Sequence, residues 1–95
     1  MPVMHFKVRW PDDSQSNCYS PSLVVKDFLE VNQSYTIEEF LNLTSQALNI
    51  ASERVREKYG FACSQAMDQL AQIEAKAAEF PLPNESQVTV LSFTE

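Results

Sequence analysis

The chain has 95 residues, of which 44% are hydrophobic and 21% charged, and its formal net charge is -6. This length and composition fit one α+β or other globular domain spanning residues 1–95, and they exclude a disordered chain. The acidic excess argues against binding to nucleic acid or to anionic membrane surfaces, because both carry negative charge.

The start of the chain and its cysteines indicate a cytoplasmic protein. Residues 1–5 lack the charged lead and the apolar stretch of a secretory signal, and no apolar run approaches the length that a bilayer requires. Cys18 and Cys63 are far apart and form no CxxC pair. We therefore expect reduced thiols, and neither a metal site nor a cofactor.

The first predicted element is a strand with one wet face. Apolar and polar residues alternate from Met4 to Trp10, so His5, Lys7 and Arg9 lie on the side opposite to the apolar residues. Proline, aspartate and serine at residues 11–14 favour a turn. A second strand at about residues 15–19 then completes a hairpin.

The segment from residue 20 to residue 28 fits two structures. Ser20 and Pro21 are typical of a helix start, with serine as the N-cap and proline at the first helical position. The β-branched pair Val24 and Val25 favours a continued strand instead. The sequence leaves this choice open.

Two long helices are predicted next. The first begins at Thr36, which forms a capping box with Glu39, and its apolar stripe extends to Tyr59. Gly60, the only glycine, is placed to end this helix in a left-handed conformation. The second helix spans about residues 63–79 and is stopped by the prolines that follow.

A last strand is predicted at residues 88–93, which are more apolar than the first strand and therefore indicate a central position. The predicted fold class is α+β. We expect a two-layer sandwich in which a three-stranded sheet, made of the N-terminal hairpin and the C-terminal strand, packs against two long antiparallel helices. The last strand should lie beside the first, and we favour a parallel pairing.

Four segments resemble a small bacterial family whose members are labelled nitrogen-starvation response proteins. They are HFKVRWPD at residues 5–12, CYSPS at 18–22, ASERVR at 51–56 and KYGFACS at 58–64. The resemblance covers essentially the whole chain. It implies cytoplasmic work beside enzymes of gene clusters that contain a nitrilase, and it implies no reaction or catalytic residue. The family favours glycine where this chain has Asp13, so Asp13 would adopt a left-handed conformation at some cost.

An enzymatic function would depend on Pro2 or Cys63. An N-terminal proline can act as a general base, as in tautomerase-like enzymes, if Met1 is removed. A thiol near a helix start can have a lowered pKa and act as a nucleophile. The simpler interpretation is an initiator dipeptide and a buried, unreactive thiol. We therefore favour a non-catalytic accessory or regulatory protein, with a small enzyme as the alternative.

The candidate interaction residues are mostly cations. Two helices can cover only one face of the predicted sheet, so His5, Lys7 and Arg9 form a basic strip on the other face. With regular alternation, the last strand brings one of two apolar pairs to that face: either Val88 and Val90, or Leu91 and Phe93. Apolar groups beside a basic strip are typical of an interaction site.

Two arginines on the first helix are further candidates. Arg54 and Arg56 can each bind a partner carboxylate in a bidentate manner. They can also pair on the helix surface, because Glu53 and Glu57 lie three residues away. We expect a protein partner, which the resemblance implies is an enzyme of a nitrilase-containing cluster, and self-association into a homodimer through the basic strip.

Overall fold

The computed structural model describes residues 3–60, 64–81 and 85–95. A single antiparallel sheet has the strand order β2-β1-β4-β3. The elements in chain order are β1 (Met4–Arg9), β2 (Gln15–Ser20), a 3-10 helix (Leu23–Asp27), β3 (Ser34–Thr36), α1 (Ile37–Tyr59), α2 (Ser64–Ala77) and β4 (Gln87–Thr94). The α+β class, the hairpin and the place of β4 beside β1 are confirmed.

Two features of the predicted sheet are wrong. The sheet has four strands instead of three, because the three-residue β3 is too short to show a period in the sequence. The pairing of β4 with β1 is antiparallel instead of parallel. Thr36 at the end of β3 pairs with Gln87 at the start of β4, so the two helices bring the chain back to the end of the sheet where β3 finishes. From there β4 runs antiparallel to both of its neighbours.

Trp10 shows how the helices lie on the sheet. Its indole contacts the ring of Phe40 edge to face, with centroids 5.7 Å apart, and stacks on the ring of Phe80 at 5.9 Å. Phe40 lies in the first turn of α1 and Phe80 follows α2, so the start of one helix and the end of the other meet at one end of the sheet. This agrees with the predicted antiparallel helices. The buried core includes Met4, Phe6, Val8 and Trp10 from β1.

The ambiguous segment after β2 forms the 3-10 helix, and its predicted cap is wrong. Ser22 is the N-cap, and its hydroxyl accepts a hydrogen bond from Val24 N at 3.3 Å. Ser20 instead ends β2, and its buried hydroxyl donates to the carbonyl oxygen of Ser22 at 2.7 Å. Pro21 therefore precedes the cap and does not occupy the first helical position.

Both predicted ends of α1 are confirmed. Thr36 Oγ1 accepts a hydrogen bond from Glu39 N at 3.1 Å. Gly60 adopts a left-handed conformation with φ of 85°, and its N–H donates to the carbonyl oxygen of Arg56. The apolar stripe is buried from Ile37 to Ala51, whereas Tyr59 in the last turn is 52% exposed. The predicted start of the second helix at Cys63 lies outside the described residues.

A β-bulge changes the faces of β4. Phe6 pairs with Phe93, and Lys7 with Ser92, but Val8 pairs with Val90, so Leu91 is an extra residue. The helix-facing set therefore changes parity along the strand, and it comprises Val88, Val90 and Phe93. The prediction that one apolar pair lies on the outer face is wrong, because it assumed unbroken alternation.

Asp13 adopts the left-handed conformation expected for the first turn, with φ of 69°. We expect Asp13→Gly to raise the free energy of unfolding by about 0.5 kcal/mol, because relief of the steric cost exceeds the added chain entropy. Chemical denaturation of both proteins measures the difference. Asp12→Gly is the control, because Asp12 Oδ1 accepts a hydrogen bond from Ser14 N at 3.0 Å and its loss should destabilise the turn. A less stable Asp13→Gly variant would contradict the explanation.

Candidate interaction surface

The outer face of the sheet presents the basic strip between two columns of uncharged side chains. His5, Lys7 and Arg9 alternate with the buried residues of β1, and the two cations are exposed. Lys7 and Arg9 are about 7 Å apart at the usual rise of a strand. Their cross-strand partners are Asn17 and Gln15 on β2, and Ser92 and Thr89 on β4.

Lys7 and Arg9 differ from the other cations of the protein. Within the described ranges, neither forms an ion pair, a side-chain hydrogen bond or a ring contact. The other cations each have a partner: Lys26 pairs with Glu95, Arg56 with Glu53, Lys76 with Asp12 and Glu79, while Lys58 lies over Tyr59 and Arg54 bonds Ser22. The two unpaired positive charges therefore lie side by side on an acidic protein.

The remaining member of the basic strip has an aromatic neighbour. The rings of His5 and Tyr19 meet edge to face with centroids 5.8 Å apart. Tyr19 is the cross-strand partner of His5, so this contact follows from the register of the hairpin. One end of the strip thus offers two half-buried aromatic rings, and the other end offers the two free charges.

The apolar residues expected beside the strip are largely absent from it. Val88 and Val90 are fully buried against the helices, and Phe93 packs on the same core. Hydroxyl and amide groups occupy the outer positions of β4 instead, and the hydroxyls of Ser34 and Thr89 hydrogen-bond at 2.9 Å. The surface that the structure presents is therefore polar and basic, with Leu91 as a half-buried extra residue.

Arg54 and Arg56 lie on α1, in the layer opposite to the basic strip, so the structure does not bring the two groups together. Arg54 Nη1 donates to Ser22 Oγ at 3.0 Å, which attaches the end of α1 to the cap of the 3-10 helix. Arg56 Nη1 lies 3.5 Å from Glu53 Oε1, as the spacing predicted. Both arginines are engaged within the protein, although exposed pairs of this kind are weak.

The catalytic candidates Pro2 and Cys63 lie outside the described residues. Cys18 is described, and burial raises the pKa of its thiol to about 12. It is therefore protonated and not nucleophilic at neutral pH. The described ranges contain no group of three or more side chains suited to hold a metal ion. In the same part of the chain, no helix is both long and apolar enough to cross a bilayer.

A groove between β2 and α2 was not anticipated from the sequence. Its walls are the edge of β2 and a row of glutamines on α2, Gln65, Gln69 and Gln72, which we call the amide stripe. The spacing of four and then three residues places them on one helix face. This spacing is the only feature of the sequence that could have indicated the groove. Polar residues on a helix are ordinarily solvated, so the glutamines alone did not predict a site.

Comparison with known proteins gives one family. A family model described as nitrogen starvation-induced protein NitG matches residues 5–93. Neither a curated protein nor a solved structure matches the chain significantly.

We predict that Cys18 resists alkylation in the native protein at neutral pH, because it is fully buried and its pKa is raised to about 12. Mass-spectrometric mapping after iodoacetamide treatment distinguishes it from Cys63, for which the sequence also predicts a buried, unreactive thiol. Both should react once the protein is denatured. Equal labelling rates for Cys18 in native and denatured protein would contradict its burial. Rapid labelling of Cys63 in the native state would favour the enzymatic alternative.

Proposed function

Because the chain belongs to the nitrogen starvation-induced NitG family, we propose that it is a non-catalytic accessory or regulatory protein of a bacterial nitrogen-related pathway. It acts in the cytoplasm through protein contacts, and the basic strip is its principal contact surface. The partner presents acidic side chains to that surface. The family resemblance implies that this partner is an enzyme of a nitrilase-containing gene cluster.

The observation that carries the proposal is the pair of cations Lys7 and Arg9 on the outer sheet face, which have no partner among the residues that the structure describes. The backbone positions of the two residues are held at a fixed spacing, because β1 is hydrogen-bonded on both sides. The flanking groups are uncharged and can donate or accept hydrogen bonds. Such a surface favours carboxylates, and the arginine can bind one in a bidentate manner.

The overall charge supports a protein partner over a nucleic acid. With a net charge of -6, the chain repels a phosphate backbone over most of its surface. A short acidic protein segment carries less negative charge than a nucleic acid, and it can contact the basic strip without approaching the rest of the acidic surface. The same attraction favours a second copy of the chain, whose surface is also acidic, so the proposal includes self-association.

Arg54 and Arg56 are secondary members of the proposed surface. A guanidinium carries five N–H donors, and Arg54 uses one of them on Ser22. It therefore has donors to spare for a partner that reaches the end of α1. To bind a partner carboxylate, Arg56 would have to release Glu53. This exchange costs little free energy, because the Arg56–Glu53 pair is exposed.

We expect the double substitution Lys7→Glu and Arg9→Glu to leave the fold intact and to weaken partner binding or dimerisation. The fold should persist because both side chains are exposed and form no ion pair or side-chain hydrogen bond with the part of the chain that the structure describes. Tagged wild-type and variant proteins are compared by pull-down from nitrogen-starved cells and by sedimentation of the purified chains. The loss should be roughly tenfold or more, as expected for charge reversal at a contact.

Lys26→Glu with Lys58→Glu is the matched control, because it gives the same net charge while changing cations away from the outer sheet face. It should bind and sediment as the wild type does. If the Lys7 and Arg9 double variant retains both partner binding and dimerisation, the outer face is not the contact surface. If both double variants lose binding equally, net charge governs association and the proposed surface is again wrong.

A further inference from the structure

One edge of the sheet exposes backbone hydrogen-bonding groups beside the groove. β2 is an outer strand, with β1 on one side. Tyr19 N donates to Gln69 Oε1 at 2.9 Å, so this N–H points away from β1. In an antiparallel ladder, every second residue shares that orientation, so the backbone groups of Asn17 and Gln15 also face outward.

The outward N–H and C=O groups of Asn17 have no partner among the residues that the structure describes. Open strand edges of this kind are normally shortened, charged or covered. The other sheet edge is shortened, because β3 has three residues. The six-residue β2 carries no charged side chain, and within the described ranges Gln69 covers only its Tyr19 end.

The groove has the length of a short extended peptide. It consists of two adjoining spaces of about 250 and 300 Å³ along β2. Gln69 lies by Tyr19, while Lys76 Nζ lies 3.7 Å from Asp12 at the turn, so α2 runs antiparallel to β2. From Gln65 to Lys76 the helix advances about 16 Å, which an extended chain covers in about five residues.

The amide stripe suits recognition of a peptide backbone. Each glutamine carries both a donor and an acceptor, as a peptide unit does. Gln69 already accepts a hydrogen bond from the backbone of β2. The side chains of Gln65 and Gln72 form no hydrogen bond within the described part of the chain, and both are exposed at the rim of the groove.

The cations of the basic strip favour an acidic occupant at the turn end of the edge, whereas Asp68 lines the groove at its Tyr19 end. Lys7 is the cross-strand partner of Asn17, and Arg9 is that of Gln15. A strand added outside β2 would send every second side chain to the outer face, next to Asn17 and Gln15. The long cationic side chains of β1 can reach over these uncharged neighbours to carboxylates on the added strand. The other side chains would face the groove over the buried Cys18 and Ile73, beside Ser16 and Gln72, and this floor suits small apolar groups.

We propose that the edge of β2 captures an extended segment of a partner protein by strand addition, with acidic residues alternating with small apolar ones. The segment pairs with the backbone of Asn17 and Gln15, and the amide stripe holds its other edge. This is a known mode of peptide recognition, in which backbone bonds give affinity and alternate side chains give selectivity. The acidic character rests on the proposed function of the basic strip, whereas the strand pairing does not.

A second copy of the chain suits this groove less well. Gln69 reaches the β2 edge from α2, so the helix lies close to the edge it flanks. Two copies pairing edge to edge would have to fit two such helices into the same space. A single extended segment carries no such helix.

The test uses a blocked octapeptide that alternates Glu and Val, added in millimolar concentration to the full-length protein. Amide hydrogen exchange followed by NMR reports on Asn17, whose outward N–H should exchange rapidly in the free protein. Saturating peptide should slow this exchange by roughly tenfold or more, because the N–H becomes hydrogen-bonded. A Lys and Val peptide should have no effect. N-methylation of the peptide's backbone nitrogens that face β2 should abolish the protection of the Asn17 N–H from exchange.

Two variants separate the backbone contact from the charge contact. Asn17→Pro removes the outward N–H without removing a bond to β1, and proline is tolerated on an edge strand. It should weaken peptide binding roughly tenfold, while Asn17→Ala, which keeps the N–H, should bind normally. The methylated peptide, tested on the unaltered protein, makes the same distinction if the proline variant does not fold.

The outcomes distinguish this proposal from the proposed function. If the Lys7 and Arg9 double variant loses the Glu and Val peptide but Asn17→Pro and peptide methylation have no effect, the basic strip binds acids and strand addition is wrong. If binding depends on the backbone but not on these two cations, the proposed role of the basic strip fails instead. Absence of Asn17 protection at millimolar peptide overturns strand addition. If protection of the Asn17 N–H rises with protein concentration in the absence of peptide, the edge binds a second copy of the chain, which also overturns the proposal.

Discussion

One extra residue in β4 determines the character of both faces of the sheet. A regular strand from Val88 to Phe93 would place these two residues on opposite faces, because they are five positions apart. The bulge at Leu91 changes the parity, so both face the helices together with Val90. The core gains a third apolar group from β4, and the outer positions are left to serine and threonine.

The basic strip depends on this arrangement. In a regular strand one of the two cations would lie beside an apolar side chain, either Arg9 beside Val90 or Lys7 beside Leu91. With the bulge, the neighbours of both cations are uncharged hydrogen-bonding groups from β2 and β4. A polar face of this kind can remain exposed in the free protein and still attract an acidic partner at a distance, which suits reversible association.

The sequence predicts those parts of the fold that depend on local rules. The alternation of β1, the capping contact of Thr36 and the left-handed Gly60 are each fixed by neighbouring residues, and all three are found. The three residues of β3 and the bulge at Leu91 depend on which strand lies alongside, so no local period reveals them. The antiparallel direction of β4 follows from its pairing with β3, so a sequence prediction that misses β3 also misses this direction. The groove beside β2 depends on the placement of α2, and its glutamines resemble an ordinary solvated face.

The register of β1 and β4 is the most direct test of this account, and interstrand NOEs from solution NMR measure it. We expect backbone NOEs that join Lys7 to Ser92 and Val8 to Val90 in the same spectrum, with Leu91 as the extra residue between them. A continuous register, in which Lys7 opposes Ser92 while Val8 opposes Leu91, would contradict it. Val90 would then face outward beside Arg9, and the polar character of the outer face would not hold.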